Sequence, residues 1–202
     1  MLTNSNSLVL GIDLGTTGLR IAIINTKKEI LYTSAGTYST GLETWEDWIY
    51  CFKKLIIEVP IGLKEKLVSC SVAGTSGTLL ACQNNGNPLG KALPYFLSCK
   101  EHSNEINNLF KKECAGSSIS GSVGRALRLL TLYGHEIILR HQADWFSGWL
   151  INNWEYGEEG NNVRMGWEIS NNSWPEKFNT LTWLKCLPKI IASGQLMGNI
   201  CN

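Results

Sequence analysis

The string Gly11-Ile12-Asp13-Leu14-Gly15-Thr16-Thr17-Gly18-Leu19-Arg20 sets one carboxylate at the end of an apolar run, then a turn of two glycines and two threonines, then a second apolar run. Glycine at 15 and 18 allows φ > 0 and removes side chains that would block close approach of a phosphate. Thr16 and Thr17 add hydroxyl donors to a turn whose backbone N–H groups can point inward together. Asp13 is placed near a bridging metal, and Mg²⁺ keeps most of its waters and takes only one or two carboxylates. Together these parts describe a phosphate clamp. It is not a Walker loop: no G-x-x-x-x-G-K-[ST] is present, and the element after the turn reads as a strand. For these few residues alone, an ordinary hairpin with a glycine-rich turn is the alternative.

The elements that must position the clamp follow from periodicity. Residues 8–13, 19–25 and 29–34 read as three short strands in an antiparallel meander. Residues 45–59 carry Trp45, Trp48, Ile49, Phe52, Leu55 and Ile56 at helical spacing and end at Pro60, so this helix is expected to cover the sheet. Residues 67–72 and 78–83, joined by Ala73-Gly74-Thr75-Ser76-Gly77, read as a second hairpin, with a further turn at Asn84-Asn85-Gly86. Residues 103–114 and 123–132 look helical, and 135–152 is expected to hold one or two more helices. Residues 154–175 read as an ordered, irregular excursion, 177–186 as a short helix, and 196–201 as the start of a strand with no return connection, which suggests a fragment.

Composition narrows the classes. The 202 residues are 44% apolar and 17% charged with a net charge of +1, which gives no sign of disorder and no basic stripe for nucleic acid or anionic membrane. Neither nucleic acid nor membrane is expected as a partner. Seven cysteines at irregular spacing, with no C-x-x-C pair, fit free thiols in a reducing compartment. The first seven residues have no basic region and the apolar run after them is broken at Asp13, so neither a signal peptide nor a membrane span is expected and the chain reads as cytoplasmic. His102, His135 and His141 have no nearby ligand set, so loop or surface roles are expected of them. Trp145, Trp149, Trp154, Trp167 and Trp174 crowd one stretch, which implies a small aromatic core there, with stacking on a sugar ring as the alternative.

With D-L-G-T-T-G-L-R between two strands, the chain resembles the first phosphate loop of the actin, Hsp70 and sugar-kinase superfamily. The later segments resemble the FGGY carbohydrate kinases: Gly74-Thr75-Ser76-Gly77-Thr78, Asn85-Gly86 and Ala92-Leu93-Pro94-Tyr95. Gln142-Ala143-Asp144-Trp145 with Gly148 and Leu150 is similar to the branch of D-ribulose/D-xylulose kinase-like proteins. Asn161-Asn162, Met165-Gly166-Trp167, Trp174-Pro175, Leu187-Pro188 and Met197-Gly198-Asn199-Ile200 continue that match. The resemblance implies an α/β, RNase H-like domain of the actin-like ATPase type, incomplete, with a mixed sheet and a helical, aromatic insertion at about 100–185. It implies ATP and Mg²⁺ as cofactors and a ketopentose or related polyol as substrate. Carried over by position, Asp13 contacts the sugar hydroxyl region and the metal waters; Gly15, Thr16, Thr17 and Arg20 face the transferring phosphate; Thr75 and Ser76 occupy the turn that reaches the sugar. For Ser76 the alternative is a turn residue bonding its own backbone. Asp144 is expected to cap or anchor its helix.

Departures from the pattern bear on substrate choice. The family has an acidic residue where this chain has Ala73, and an acidic residue then an arginine where it has Phe96-Leu97-Ser98-Cys99; near Asn161 an acidic position is kept as Glu159. The family's catalytic base and adenine-binding domain are expected beyond Asn202, so residues 1–202 are read as an N-terminal part, inactive alone, with a missing C-terminal half or a second copy as possible partner. Two rivals stand: a non-catalytic remnant with weak sugar or phosphate binding, and an Hsp70-like or actin-like ATPase.

Overall fold

The computed structural model describes residues 7–110 and 114–201 and divides after Thr75 into two compact units. In the first unit, β1 (Leu8–Leu14), β2 (Gly18–Asn25) and β3 (Ile30–Thr37) form the expected antiparallel meander, and β4 (Leu67–Gly74) adds in parallel beside β1, giving the order β3-β2-β1-β4. Alternate residues of β1 and β2, Leu8, Leu10, Ile12, Leu14, Leu19, Ile21 and Ile23, are buried, as period 2 requires of a sheet with one covered face. The cover is α1 (Trp45–Glu58), which buries Trp48, Cys51, Phe52 and Leu55. It approaches β3 so closely that a Cβ on Gly36 would stand 2.6 Å from Cys51 Sγ. Val59 is extended and Pro60 follows, which ends the helix; the single turn α2 (Ile61–Lys64) leads to β4.

Asp47, in the first turn of α1, ties the loop before it: it accepts from the Thr40 N–H at 2.6 Å and Oγ1 at 3.0 Å and from the Gly41 N–H at 3.3 Å. Desolvation works against its charge, but these hydrogen bonds outweigh it and hold the carboxyl below its usual range.

The second unit departs from expectation at its first strand. Residues 73–77 do not close a hairpin: β4 lies beside β1, whereas β5 (Leu79–Cys82) pairs antiparallel with β6 (Ile138–His141). All four residues of β5 are buried, so it needs cover on both faces within its own unit. The hairpin partner of β5 is instead the stretch after the Asn84-Asn85-Gly86 turn, where Leu79 and Leu93 exchange backbone hydrogen bonds and the Leu89 N–H donates to Ala81 O. The expected helices of 135–152 resolve into β6 and α5 (Gln142–Ile151), because Ile137-Ile138-Leu139 is a β-prone run too short for a helix.

α3 (Ser103–Leu109) is shorter than the expected 103–114; of that span 111–113 lie outside the described residues, as do residues 1–6. α4 (Ser122–Tyr133) matches its expectation and packs Val123, Ala126, Leu129 and Leu130 into a core with Leu79, Ile106 and Leu139. The irregular excursion holds β7 (Tyr156–Glu158) and one turn, α6 (Glu159–Asn162), and β7 runs parallel to β8 (Lys189–Ile191). Residues 177–186 form two 3₁₀ turns, Glu176–Thr180 and Leu184–Cys186, in place of one helix. Residues 196–201 form no strand; Leu196 and Ile200 are exposed and the Cys201 N–H donates to Leu150 O. The five tryptophans expected to share one aromatic core divide: Trp174 meets Trp167 and stacks on buried Phe178, which also meets Phe110 and Trp183 at 5.6 and 5.5 Å between centroids, while Trp149 meets Phe146 on α5.

Candidate functional site

β1 ends on Asp13-Leu14, β2 opens at Gly18, and Gly15-Thr16-Thr17 joins them. The Gly15 N–H closes the turn on Gly18 O at 2.9 Å, so this expected donor is spent internally. The Thr16 and Thr17 N–H groups have no backbone acceptor among the described residues, and both side chains are exposed. Neither Gly15 nor Gly18 adopts a positive φ, which corrects the reason given for glycine. At 18 the requirement is close approach: a Cβ would stand 2.1 Å from Gly36 O.

Asp13 and Arg20 are register partners across β1 and β2 and form an ion pair at 3.3 Å, with side chains 50% and 73% exposed. Such a pair contributes only about 0–1 kcal/mol to stability, so both groups remain available to a ligand. On its other side Asp13 lies beside Ala73 across the parallel β1/β4 pair, so its neighbour there is a methyl. Gly11, Ala22, Ala35, Ser71 and Ala73 line a trough of about 670 Å³ that reaches Asp13 and Arg20.

Tyr38, missed in the sequence, flanks the turn. Its N–H donates to Thr17 O at 3.0 Å, and its buried hydroxyl has no partner among the described residues. Burial, and then Cys51, Asp13 and Asp47, push the phenol's pKa up, leaving it a neutral donor. Its signal was a hydroxylated aromatic just past the strand that flanks the turn.

Thr75 follows β4 off the end where Leu14 and Gly74 are paired, and is half-buried. Ser76 belongs to the second unit and is exposed. Gly77 has φ +97°, a conformation that favours glycine. Its carbonyl is held by Arg125, a second residue the sequence did not single out. The buried guanidinium donates from Nε to Gly77 O at 2.8 Å and from Nη1 to Tyr95 O, Leu97 O and Ser120 O at 3.0, 2.9 and 3.0 Å. Arg125 thereby ties Gly77 to residues 95–97 and to the loop at Ser120. Burial draws its pKa to about 10, which leaves it charged at neutral pH.

Asp144 anchors rather than reacts. Its Oδ1 accepts from the Glu158 N–H at 3.0 Å and Asn161 Nδ2 at 2.8 Å, and Oδ2 from Asn162 Nδ2 at 2.9 Å. His141 is buried, contrary to the surface role expected, with Nε2 at 2.9 Å from Ser122 Oγ. His102 meets Glu105 and His135 meets Thr182. Among the described residues no cluster of three or more His, Cys, Asp or Glu side chains forms a metal site. The single carboxylate of Asp13 fits a hydrated Mg²⁺ held through water. No helix among these residues is long and apolar enough to cross a membrane.

No family model matches the chain. Solved structures do. A glycerol kinase from Plasmodium falciparum with ADP superposes with a TM-score of 0.80 at 15% identity, over 97% of this chain and 45% of that one. A ligand-bound xylulose kinase from Lactobacillus acidophilus gives 0.79 at 12% identity over 96% and 44%, and one from Rhodospirillum rubrum 0.79 at 12% over 96% and 45%. The chain has the N-terminal-domain fold of the sugar kinases. The expected α/β, RNase H-like architecture with a mixed sheet is therefore the one observed, and at these identities the likeness is one of fold. The sugar-kinase fold here spans about 45% of the length of the glycerol kinase it matches.

Proposed function

We propose that the chain is the part of an FGGY-type carbohydrate kinase that holds phosphate and sugar in the transfer of the γ-phosphoryl group of MgATP to a hydroxyl of a ketopentose or related polyol. The observation that carries the reading is the Gly15-Thr16-Thr17 turn, with two undonated amides and two exposed hydroxyls beside Asp13 and Arg20, at the head of a sugar-kinase fold. In phosphoryl transfer most catalysis is positioning and charge stabilisation. Thr16, Thr17 and Arg20 would supply donors to the phosphate, Gly15 and Gly18 the close approach, and Asp13 an acceptor for metal-bound water and for the sugar hydroxyl region. Mg²⁺, when bound, would neutralise charge on the transferring group. Thr75 and Ser76 would face the sugar. No residue of 1–202 is assigned the general base or the adenine contact. A cytoplasmic setting belongs to this reading; all seven thiols are free.

A second, non-catalytic reading has one observation of its own: Ala73 puts a methyl beside Asp13 in register. A coupled ADP-release assay separates the two, using residues 1–202 with MgATP and a panel of pentuloses and polyols, alone and supplied with the C-terminal half of a matched kinase. The kinase reading expects no release alone and sugar-dependent release on complementation, abolished by Asp13→Ala. Release insensitive to that substitution contradicts the assigned site, and none in either arm favours the remnant.

A further inference from the structure

A second cleft, of about 390 Å³, opens in the Ser76–Asn202 unit between the Asn84 turn, β6, the end of α5 and the approach to β8. Arg140 lines it, although the residue is only 3% exposed. Its Nε donates to Trp154 O at 2.6 Å, and its Nη1 to Leu139 O at 2.7 Å and Cys186 O at 3.0 Å. Nη2 has no acceptor among the described residues, and no carboxylate is hydrogen-bonded to the guanidinium. Nη2 is not one of the buried unpaired atoms, so it is open to solvent in a residue that lines the cleft, where an anion could replace water as its acceptor.

The rest of the lining is rich in donors and poor in acceptors. Lys185 and Lys189 are paired only with the exposed Glu136 and Glu155, contacts of the kind that another anion displaces at little cost. Asn153 gives its Oδ1 to the Glu155 N–H, which leaves its NH₂ to the cleft, and the side chains of Asn84 and Asn152 make no hydrogen bond among the described residues. Glu155 is the one carboxylate in the lining, and it is engaged by Lys189. A carboxylate ligand would leave several of these donors idle, whereas a tetrahedral dianion has the acceptor sites to use them.

We infer that this cleft binds a phosphate or phosphomonoester group, seated among Arg140, Lys185 and Lys189. Ile138 and Leu187 line the same cleft and offer apolar surface to the carbon skeleton of a monoester. None of these residues takes part in the phosphate turn of β1 and β2, so the inference does not depend on the kinase reading.

The test is titration of the ¹⁵N-labelled chain with inorganic phosphate and, separately, glycerol phosphate at constant ionic strength, against chloride, following the side-chain amides of Asn84, Asn152 and Asn153 and the Trp154 indole. Saturable shifts are expected with phosphate, tighter with glycerol phosphate if the apolar wall is used. The double variant Lys185→Ala/Lys189→Ala, at exposed positions that leave the fold intact, is expected to weaken binding about tenfold or more. Arg140→Lys, which keeps the charge and loses the fork, is expected to weaken it too. The inference is overturned if no shift is seen up to about 20 mM phosphate, well past the millimolar range of weak small-ligand binding. It is equally overturned if chloride gives the same shifts, if the double lysine variant binds as well as the parent, or if the shifts fall only on the Thr16 and Thr17 amides.

Discussion

Asp13 and Asp144 are both aspartates of apolar-flanked segments, and their surroundings give them opposite work. Asp144 is 1% exposed and its two oxygens take three donors from residues 158–162, so it holds the α5–β7 junction together and has nothing left for a ligand. Asp13 is half exposed, touches one exposed guanidinium at 3.3 Å, and sits beside a turn whose Thr16 and Thr17 amides have no backbone acceptor among the described residues. A carboxylate whose oxygens are filled by interior donors is an anchor. One that is half exposed with a single exposed partner can still take a ligand, and that difference lies in tertiary structure, not in residue type.

The comparison breaks first on stability. Asp144→Ala removes a buried acceptor from three donors, one buried and two part-buried, and is expected to cost about 3 kcal/mol in urea unfolding, whereas Asp13→Ala is expected to change stability by less than about 1 kcal/mol. Equal losses would make Asp13 a structural residue. Next in size is Gly18→Ala, whose Cβ would meet Gly36 O at 2.1 Å and force the turn to move; about 2 kcal/mol is expected, against well under about 1 kcal/mol for Gly15→Ala, where the nearest atom is 3.2 Å away. If the two glycines prove equally tolerant, close approach is not what fixes the turn.

A pH profile sharpens the picture at the loop before α1. The folded-state pKa of Asp47 is depressed below 3.8, so its contribution is fully present above that value and is lost as pH falls through the lower, folded one. Asp47→Asn is therefore expected to destabilise at neutral pH and to flatten the acid limb of the stability curve; an unchanged limb would place the titration elsewhere. The smallest effect is on thiol chemistry. Burial pushes the Cys82 thiol up to about 12, so it should resist thiol reagents at pH 8 in the folded chain, while exposed Cys201 reacts. Rapid labelling of Cys82 would indicate local opening of β5.

The first unit was legible because period-2 alternation in β1 and β2 and helical spacing in α1 each report one buried face. The second was less so. β5 is apolar on both faces and β6 is four residues long, so neither carries a period, and their pairing joins residues some sixty positions apart. The same holds for the site. The Asp13-to-Arg20 string is local and could be read directly. Arg125 reaches Gly77 across 48 positions, and Tyr38 becomes relevant only because β3 returns beside the turn. Positive φ, expected at Gly15 and Gly18, is found at neither, and the crowding of Gly18 by Gly36 is a cross-strand fact that the string alone does not carry.

The central claim is that the Gly15-Thr16-Thr17 turn takes the phosphates of a nucleotide. It is tested most directly by titrating the ¹⁵N-labelled chain with MgATP and following the Thr16 and Thr17 amides. Saturable shifts at those two amides, lost in Asp13→Ala with the rest of the spectrum unchanged, are the expected result. Amides that stay in place at saturating MgATP, or shifts that survive the substitution unaltered, would contradict it.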